Sequence, residues 1–370
     1  MRPEKLLRHF VTACVAVGVS WGQGIITTVA GTDLVYPGSS FSALSASFGQ
    51  LSGVAVNPIS GDVYFASQSR SLIVKFNPQL NSASVVAGIG IGGYSGDGGP
   101  ASAAALNQPV QIAFDRTGSL FIADSQNNAV RKIDPQGVIS TVAAGIYPIG
   151  VAIASDGTLY ASNIYTIVRI AVDGTMTVIA GSVPGYSGDR GPATDATLNF
   201  IQGLAFDAVG NLFVTDQANN RIRRIGTDGI ISTVAGNGQF GPPVAGPAIA
   251  SPLGGLASLT VDRSGNLYFG GGGLLKVDSK GVLSILNPTP SSFFLAASGS
   301  LTNASLDPNH LAFDQGGNLY ITEAFTNCLY RSSPGGIIQA VAGYAPNFGI
   351  GDGPALLAGL NVAFRARIDA

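Results

Sequence analysis

Short apolar runs separated by turns rich in Gly, Asn and Asp dominate the pattern of hydrophobic and polar positions along the chain. In one stretch, apolar runs cover residues 111–114, 120–123, 129–133 and 138–143, with polar or Gly-containing turns between them. Asn, Asp and Gly are the residues that tight turns require. Runs that are apolar on both faces suit sheets packed between neighbouring sheets. The pattern predicts a unit of four short antiparallel strands.

This unit recurs along the chain with a marker in its second strand. The marker is a Gly followed by any residue, an aliphatic residue and an aromatic residue, and its copies begin at Gly61, Gly118, Gly157, Gly210, Gly265 and Gly317. Spacings of about 40–55 residues between strand-rich units are typical of a propeller. One such sheet cannot bury both of its faces, whereas six sheets arranged in a ring can. The sequence therefore predicts an all-β fold, a six-bladed β-propeller of four-stranded antiparallel blades.

The two chain ends leave the closure of the ring open. Sequences like the fourth strand occur seven times, from Ile25–Ala30 to Ile337–Ala342, whereas the second-strand marker occurs six times. A split or incomplete seventh blade is the alternative to a ring of six. The tail, residues 350–370, resembles the first strand of a further repeat. The predicted division is a signal peptide at 1–22, a propeller at 23–349 and this tail.

The N-terminal segment is typical of a secretory signal peptide. Arg2, Lys5 and Arg8 form a basic start, Phe10–Val19 is an apolar run too short to span a membrane, and small residues precede Gln23. We expect cleavage before Gln23, a secreted or periplasmic protein and no membrane span after processing. The processed chain would keep a single cysteine, which excludes an intrachain disulfide. We also expect a monomer.

Composition and charge narrow the function classes. Charged residues make up 11% of the chain and hydrophobic residues 46%, so a disordered chain is excluded. The 51 glycines among 370 residues exclude a long helical protein. The net charge is −2, and it becomes −4 without residues 1–22. Because nucleic-acid binding depends on neutralising phosphates, we expect no nucleic-acid partner.

Two units resemble a known repeat family in their second turn and outer strands. Asp216–Arg223 followed by Ile231–Gly236 is similar to the NHL repeat, as is Asp124–Lys132 followed by Ser140–Ala143. The resemblance extends over about residues 25–345 and indicates a secreted bacterial member of the family. It implies a six-bladed propeller. It implies no single function, because members include binding modules, receptors, lyases and lactonase-like enzymes.

Two long interblade loops repeat the pattern Tyr-Ser-Gly-Asp and place Asp97 and Asp189 on the face that carries these loops. One interpretation is a ring of carboxylates that binds Ca²⁺. The other is a Gly-rich turn in which the Asp accepts backbone hydrogen bonds. Ca²⁺ needs six to eight oxygen ligands, and each loop supplies one carboxylate. The sequence favours the turn, so no metal or cofactor is predicted, and Ca²⁺ is kept as the alternative.

The inventory of reactive side chains favours binding over catalysis. His310 is the one histidine outside the signal segment, so the chain cannot form a multi-histidine metal centre. The residues expected to open the six innermost strands at the channel mouth include no carboxylate: Gly53, Gln111, Gly150, Gly203, Ser258 and His310. No catalytic residue is predicted. The favoured function is a binding or scaffold module for a protein, a glycan or a small ligand, and a lactonase- or lyase-like enzyme is the alternative.

One interblade connection is much shorter than the others and predicts a notch above the third blade. It consists of residues 146–149, whereas most junctions have about 20 residues. Tyr147, Asn163 and Tyr165 lie on or opposite this connection and are predicted to bind a ligand, since tyrosine is a common recognition residue. The alternative is that the two tyrosines only cover a blade edge.

Overall fold

Six antiparallel sheets surround a central axis in the computed structural model, which describes residues 40–287, 298–304, 306–323 and 326–343. The predicted six-bladed propeller of four-stranded blades is confirmed. Each blade is built from one continuous stretch of chain, and the described residues include no α-helix. The candidate strand at 25–30 and the tail at 350–370 lie outside the described residues.

The first three blades follow one another along the chain, each running from the axis outward. Blade 1 contains Leu51–Val56, Val63–Ser67, Leu72–Asn77 and Ser82–Ala87. Blade 2 contains Pro109–Phe114, Leu120–Asp124, Ala129–Ile133 and Ile139–Ala144. Blade 3 contains Gly150–Ile153, Leu159–Ser162, Ile167–Ile170 and Met176–Ala180.

The other three blades complete the ring in the same order. Blade 4 contains Ile201–Phe206, Leu212–Asp216, Arg221–Ile225 and Ile231–Ala235. Blade 5 contains Leu259–Val261, Leu267–Gly270, Leu274–Val277 and Val282–Ile285. Blade 6 contains Pro308–Phe313, Leu319–Glu323, Leu329–Ser332 and Ile337–Ala342.

Short 3₁₀ turns lie on the face that carries the interblade connections. Five turns belong to segments that lead into a blade: Ala43–Ser45, Ala101–Ala103, Ala193–Asp195, Ala248–Ala250 and Leu301–Asn303. Three turns join the second and third strands of a blade: Gln68–Arg70, Ser125–Asn127 and Gln217–Asn219. The segments that lead into a blade also bind the turns between second and third strands through backbone hydrogen bonds. For example, the Gln68 N–H donates to the Gln50 oxygen at 2.9 Å.

The innermost strands pack so closely that two of them need glycine at the point of contact. A Cβ on Gly53 would lie 2.5 Å from the Val110 oxygen, and a Cβ on Gly203 would lie 2.8 Å from the Ser258 Cα. These distances leave no room for a side chain. The glycines therefore allow neighbouring strands to approach at backbone contact, which narrows the channel.

Most blades are covered on their outer edge by the segment that leads into them. Short extra strands at Phe41–Ser42, Gly246–Pro247 and Ser298–Ser300 cover blades 1, 5 and 6, and single bridges at Pro100 and Pro192 cover blades 2 and 4. Blade 3 has no such partner in the part of the chain that the structure describes. Its short connection cannot reach the outer strand Met176–Ala180, which stays an open edge.

Candidate functional site

A cavity of about 440 Å³ opens at the channel mouth on the loop-rich face. Its walls come from the starts of innermost strands, from the turns between second and third strands, and from the short connection before blade 3. Loops of several blades therefore converge on one depression at the axis. A rigid scaffold that carries converging loops is a common arrangement for binding sites.

The polar part of the cavity wall consists mainly of amides. Gln50, Gln68, Gln202 and Asn309 line the cavity, and the wall residues among the described part of the chain include no Asp, Glu, Lys or Arg. Asn309 donates from Nδ2 to the Leu51 oxygen at 2.8 Å across the junction of blades 6 and 1. The other three side chains make no hydrogen bond within the described ranges. Their amide groups are therefore available to a ligand.

His310 lies at the bottom of this wall and is 2% exposed. Its backbone N–H donates to Thr322 Oγ1 at 3.0 Å, which fixes the strand, but neither ring nitrogen has a partner among the described residues. Burial lowers the pKa of His310 from 6.5 to about 4, so the imidazole is neutral at physiological pH. Buried polar groups normally have a hydrogen-bond partner. The two unpaired nitrogens single this residue out from the rest of the channel.

Gln111 follows Val110, which lines the cavity, in the innermost strand of blade 2. Its side chain crosses the central channel. Its Nε2 donates to the Leu204 oxygen of blade 4 at 3.4 Å, and its Oε1 accepts from the Val151 N–H of blade 3 at 3.1 Å. One side chain thus connects three blades across the axis.

Two aromatic side chains, Tyr147 and Phe200, form the apolar part of the rim, and each is 39% exposed. Phe200 has a φ of 59°, a left-handed conformation that costs free energy in a residue with a Cβ. The corresponding residue before blade 5 is Gly255, with a φ of 61°. A glycine would meet the backbone requirement at lower cost, so the sequence keeps a large exposed aromatic ring at a strained position.

The structure separates the three predicted ligand-binding residues. Tyr147 lies on the cavity wall, where its hydroxyl accepts from Gln126 Nε2 at 3.0 Å. Asn163 Oδ1 accepts from the Tyr165 N–H at 2.9 Å and from the Thr166 N–H at 2.8 Å, which shapes the local turn. Asn163 and Tyr165 are half-buried and do not line the cavity. Of the three, only Tyr147 is brought to the channel mouth.

Sequence reasoning did not assign Gln202, Phe200 or His310 to a site. The reason is a β-bulge near the start of the innermost strand, seen as a register shift between Ile201 and Leu204 and between Pro308 and His310. In blade 4 the bulge brings Gln202, the residue before the expected Gly203, to the cavity wall. In blade 6 the expected residue, His310, lines the wall itself. Phe200 could have been noticed in the sequence, because it stands in blade 4 where the corresponding position before blade 5 is Gly255.

The carboxylates of Asp97 and Asp189 each bind a fully buried arginine. Arg131 Nη2 lies 2.5 Å from Asp97 Oδ1, and Arg223 Nη2 lies 2.8 Å from Asp189 Oδ1. Asp97 also accepts a backbone hydrogen bond from Thr141 at 3.1 Å, the type of contact that the turn interpretation expects. Burial alone would raise the pKa of Asp97, but hydrogen bonds from Thr141 and Arg131 and the charge of Arg131 hold it below its ordinary value.

A second carboxylate holds each of these arginines from the other side. Arg131 Nη1 lies 3.4 Å from Asp124 Oδ2, and both side chains are completely buried. The blade 4 counterpart is the pair Arg223 and Asp216, at 3.3 Å. The described ranges contain no group of three or more His, Cys, Asp and Glu side chains close enough together to hold a metal ion.

Larger depressions lie between blades on the opposite face. One of about 600 Å³ lies between blades 5 and 6, and one of about 670 Å³ lies between blades 2 and 3. The carboxylates in the first are occupied by their own turns: Asp262 accepts from Asn266 Nδ2 and Asp314 from Asn318 Nδ2, both at 2.7 Å. These depressions are gaps between turns, so the channel mouth is the better candidate site. The described residues also contain no helix long and apolar enough to cross a membrane.

Comparison with known proteins supports the repeat assignment. A family model of the teneurin NHL domain matches residues 39–145. Teneurin-m of Drosophila melanogaster is 29% identical over 227 residues, which cover 50% of this chain and 8% of that protein. Teneurin-3 of Mus musculus is 28% identical over 229 residues, with the same two shares. The matched region is thus a small part of these curated relatives.

Solved structures with the same architecture carry different functions in their descriptions. A virginiamycin B lyase from Staphylococcus aureus has a TM-score of 0.51 at 17% identity, covering 82% of this chain and 87% of that chain. A gluconolactonase from Xanthomonas campestris has a TM-score of 0.52 at 16% identity, covering 81% and 89%. An auxiliary nutrient binding protein from Bacteroides thetaiotaomicron has a TM-score of 0.60 at 14% identity, covering 80% and 70%.

At these identities the likeness shows the fold alone. The repeated sequence units, the six four-stranded blades and the matched family model agree with one another. The match to the teneurin NHL domain over residues 39–145 supports an NHL-repeat β-propeller.

Proposed function

We propose that the chain is a secreted binding module that takes its ligand into the channel-mouth cavity of the loop-rich face. The observation that carries the proposal is the composition of the cavity wall: three unpaired amides and an unpaired imidazole, with no charged side chain among the described wall residues. Such a wall offers several hydrogen bonds to a ligand. It offers little that would drive a reaction.

The state of His310 supports binding over catalysis. A general acid or base works best when its pKa is near the working pH, and burial lowers the pKa of His310 to about 4. Catalytic histidines are usually oriented by a hydrogen bond to their second ring nitrogen, and His310 makes none within the described ranges. A neutral imidazole without an orienting partner suits hydrogen bonding to a ligand.

A lactonase- or lyase-like enzyme is the second candidate. It is favoured by one observation, that the only histidine outside the predicted signal segment lines the cavity with both nitrogens free. Propellers described as a lyase and a gluconolactonase share the fold. Product formation from a bound compound would select this function.

Secretion is part of the proposal and rests on the sequence of residues 1–22, which lie outside the described residues. The cysteine content is consistent with it, because Cys328 is buried and its pKa is raised to about 12 by burial. A buried thiol of this kind is unreactive in an oxidising compartment. Export would place the loop-rich face in contact with extracellular or periplasmic ligands.

A thermal-shift screen tests the proposed function. Ligands that bind the folded state raise the melting temperature by an amount that grows with the ratio of ligand concentration to Kd. The screen would contain neutral and charged oligosaccharides, peptides and lactones, and each positive compound would also be assayed for conversion. The variant Gln202→Leu should reduce the shift, because Gln202 lines the cavity. The matched control Gln136→Leu, on an exposed turn of the opposite face, should keep it.

The proposal fails if every stabilising compound acts equally on the Gln202→Leu and Gln136→Leu proteins. It also fails if a stabilising compound is converted by the wild-type protein and not by the Gln202→Leu protein, since that result would select the enzyme.

A further inference from the structure

We infer that the cavity binds an uncharged, hydroxyl-rich sugar, with His310 and the amides of Gln50, Gln68 and Gln202 holding hydroxyl groups below the rings of Tyr147 and Phe200. This inference rests on the proposed function and names its ligand class. It follows from four features of the cavity: the hydrogen-bonding groups, the absence of charge, the aromatic rim and the volume.

The hydrogen-bonding groups of the cavity suit hydroxyl groups better than they suit a ligand that only donates or only accepts hydrogen bonds. A primary amide offers two donors and an acceptor on one side chain, and a neutral imidazole offers one donor and one acceptor. A sugar hydroxyl also donates and accepts. The free amides and the free imidazole together therefore present mixed polarity on a short stretch of wall, which a row of hydroxyls can satisfy.

Because His310 is buried, a hydrogen bond from a ligand to its imidazole would be especially favourable. An unpaired buried polar group carries a desolvation cost that a ligand hydrogen bond removes. Because His310 is 2% exposed at the bottom of the wall, only a group that enters the cavity can reach its nitrogens. A hydroxyl can accept from the protonated nitrogen or donate to the other nitrogen, so the ring can pair with a hydroxyl in either tautomer.

The absence of charge argues against ionic ligands. A carboxylate, sulfate or phosphate would need an arginine, a lysine or a helix N-terminus to compensate its buried charge, and none of these is found among the described wall residues. A cation would need carboxylates, and the described wall residues include none. An uncharged ligand avoids both costs.

The rim supplies flat apolar surface. Phe200 and Tyr147 expose their rings beside the amides, and the C–H face of a pyranose can cover such a ring while its hydroxyls point to polar groups.

The volume favours a compact ring over a peptide. The cavity measures about 440 Å³, within the range of small-molecule sites. Extended peptides are usually bound along a sheet edge or in a long groove, not in a depression of this size.

Isothermal titration calorimetry with defined sugars tests the inference. The probes are cellobiose, mannobiose and chitobiose as neutral ligands, with digalacturonate and glucosamine dimer as charged counterparts, and a Gly-Ser-Ala peptide with acetylated and amidated ends. We expect a neutral sugar to bind and the charged sugars and the peptide not to bind. Removing one hydrogen bond in Gln202→Leu or His310→Leu should weaken binding about tenfold.

Three matched variants separate contact from folding. His310→Gln restores a donor and an acceptor and should recover part of the binding that His310→Leu loses. Phe200→Gly removes the ring and relaxes the left-handed backbone, so it should weaken the sugar without lowering the melting temperature. Gln136→Leu, on the opposite face, should bind as wild type does.

The outcomes distinguish this inference from the proposed function. Binding of a charged sugar or the peptide that Gln202→Leu abolishes would overturn the sugar inference and leave the binding module standing. Neutral-sugar binding that is equal in all cavity variants would overturn the assignment of the cavity. If none of the six probes binds, the sugar inference is overturned. The thermal-shift screen then decides the proposed function by itself.

Discussion

The backbone N–H of Gly343, which follows the last strand, donates a 2.9 Å hydrogen bond to the carbonyl oxygen of Ala43, which precedes the first blade. Equivalent bonds join Gly88 to Ala101 at 3.1 Å and Gly181 to Ala193 at 3.0 Å within continuous interblade connections. The segment 41–48 therefore takes the place of a connection between blades 6 and 1. The ring closes by the same contact that joins its other blades, without a strand exchanged between the chain ends in the described residues.

Phe48 is the main apolar side chain of this closure, and its removal should loosen the junction of blades 6 and 1. It is fully buried and contacts the Phe65 ring edge-on at 5.0 Å. Phe48→Ala should lower the free energy of unfolding by about 3–5 kcal/mol, the usual range for a buried phenylalanine. Amide hydrogen exchange should then show lost protection at Gly343.

The matched control is Leu106→Ala, which removes a fully buried side chain from the corresponding place between blades 1 and 2. It should cost a similar free energy and leave the Gly343 amide protected. Equal exchange at Gly343 in both variants would show that segment 41–48 does not close the ring.

Removing only one partner of the buried ion pair in blade 2 should strongly lower the free energy of unfolding. Arg131→Val leaves Asp124 buried without its cation and should cost about 3–5 kcal/mol. The double variant Arg131→Val/Asp124→Ser copies Val74 and Ser67, the residues at the same register positions of blade 1. Chemical denaturation should show that the double variant recovers part of the loss. A double variant less stable than the single one would contradict this account of the pair.

His310 should make stability depend on pH between about 4 and 6.5. The unfolded chain protonates this imidazole near 6.5, whereas the folded protein keeps it neutral down to about 4 because of burial. The unfolded state therefore binds more protons in this window, and stability falls as the pH is lowered through it, by at most about 3 kcal/mol in total. Above pH 6.5 the contribution is constant.

The comparison that isolates this effect is wild type against His310→Gln, the residue already present at the corresponding position of blade 2. Urea unfolding at several pH values should give a stability difference that changes between pH 6.5 and 4 and is flat above. A flat difference throughout would mean that His310 titrates normally in the folded protein.

Export should remove the first 22 residues. N-terminal sequencing of protein recovered outside the cytoplasm should find a start within a few residues of Gln23. The basic start and the short apolar run of residues 1–22 motivate this expectation. Protein that is exported with Met1 intact, or that stays in the cytoplasm, would contradict it.

The repeat period and the turn residues were enough to predict the blades. Residues such as Gly118 and Asn128 adopt positive φ angles, 84° and 51°, in turns that the sequence marks clearly. Each such turn fixes a strand boundary locally, so no long-range information is needed. The number of blades then follows from the count of repeats.

The site depends on features that local patterns do not contain. A bulge of one residue decides which side chain lines the cavity, and the register shift at Ile201 and Leu204 becomes visible only when the strands are paired. The contact between Asp97 and Arg131 joins residues on different loops and strands. Its signal was present in the sequence, because blades 2 and 4 share both the Tyr-Ser-Gly-Asp loop and the arginine.

The central claim is that a neutral sugar contacts His310 in the channel-mouth cavity, and the imidazole itself reports on it. The chain has two histidines, so in the variant His9→Gln the only imidazole NMR signal is that of His310. Titration with the neutral disaccharide that binds best should shift this signal saturably, with the affinity that calorimetry gives. An imidazole signal that stays unchanged while calorimetry records binding would contradict the account.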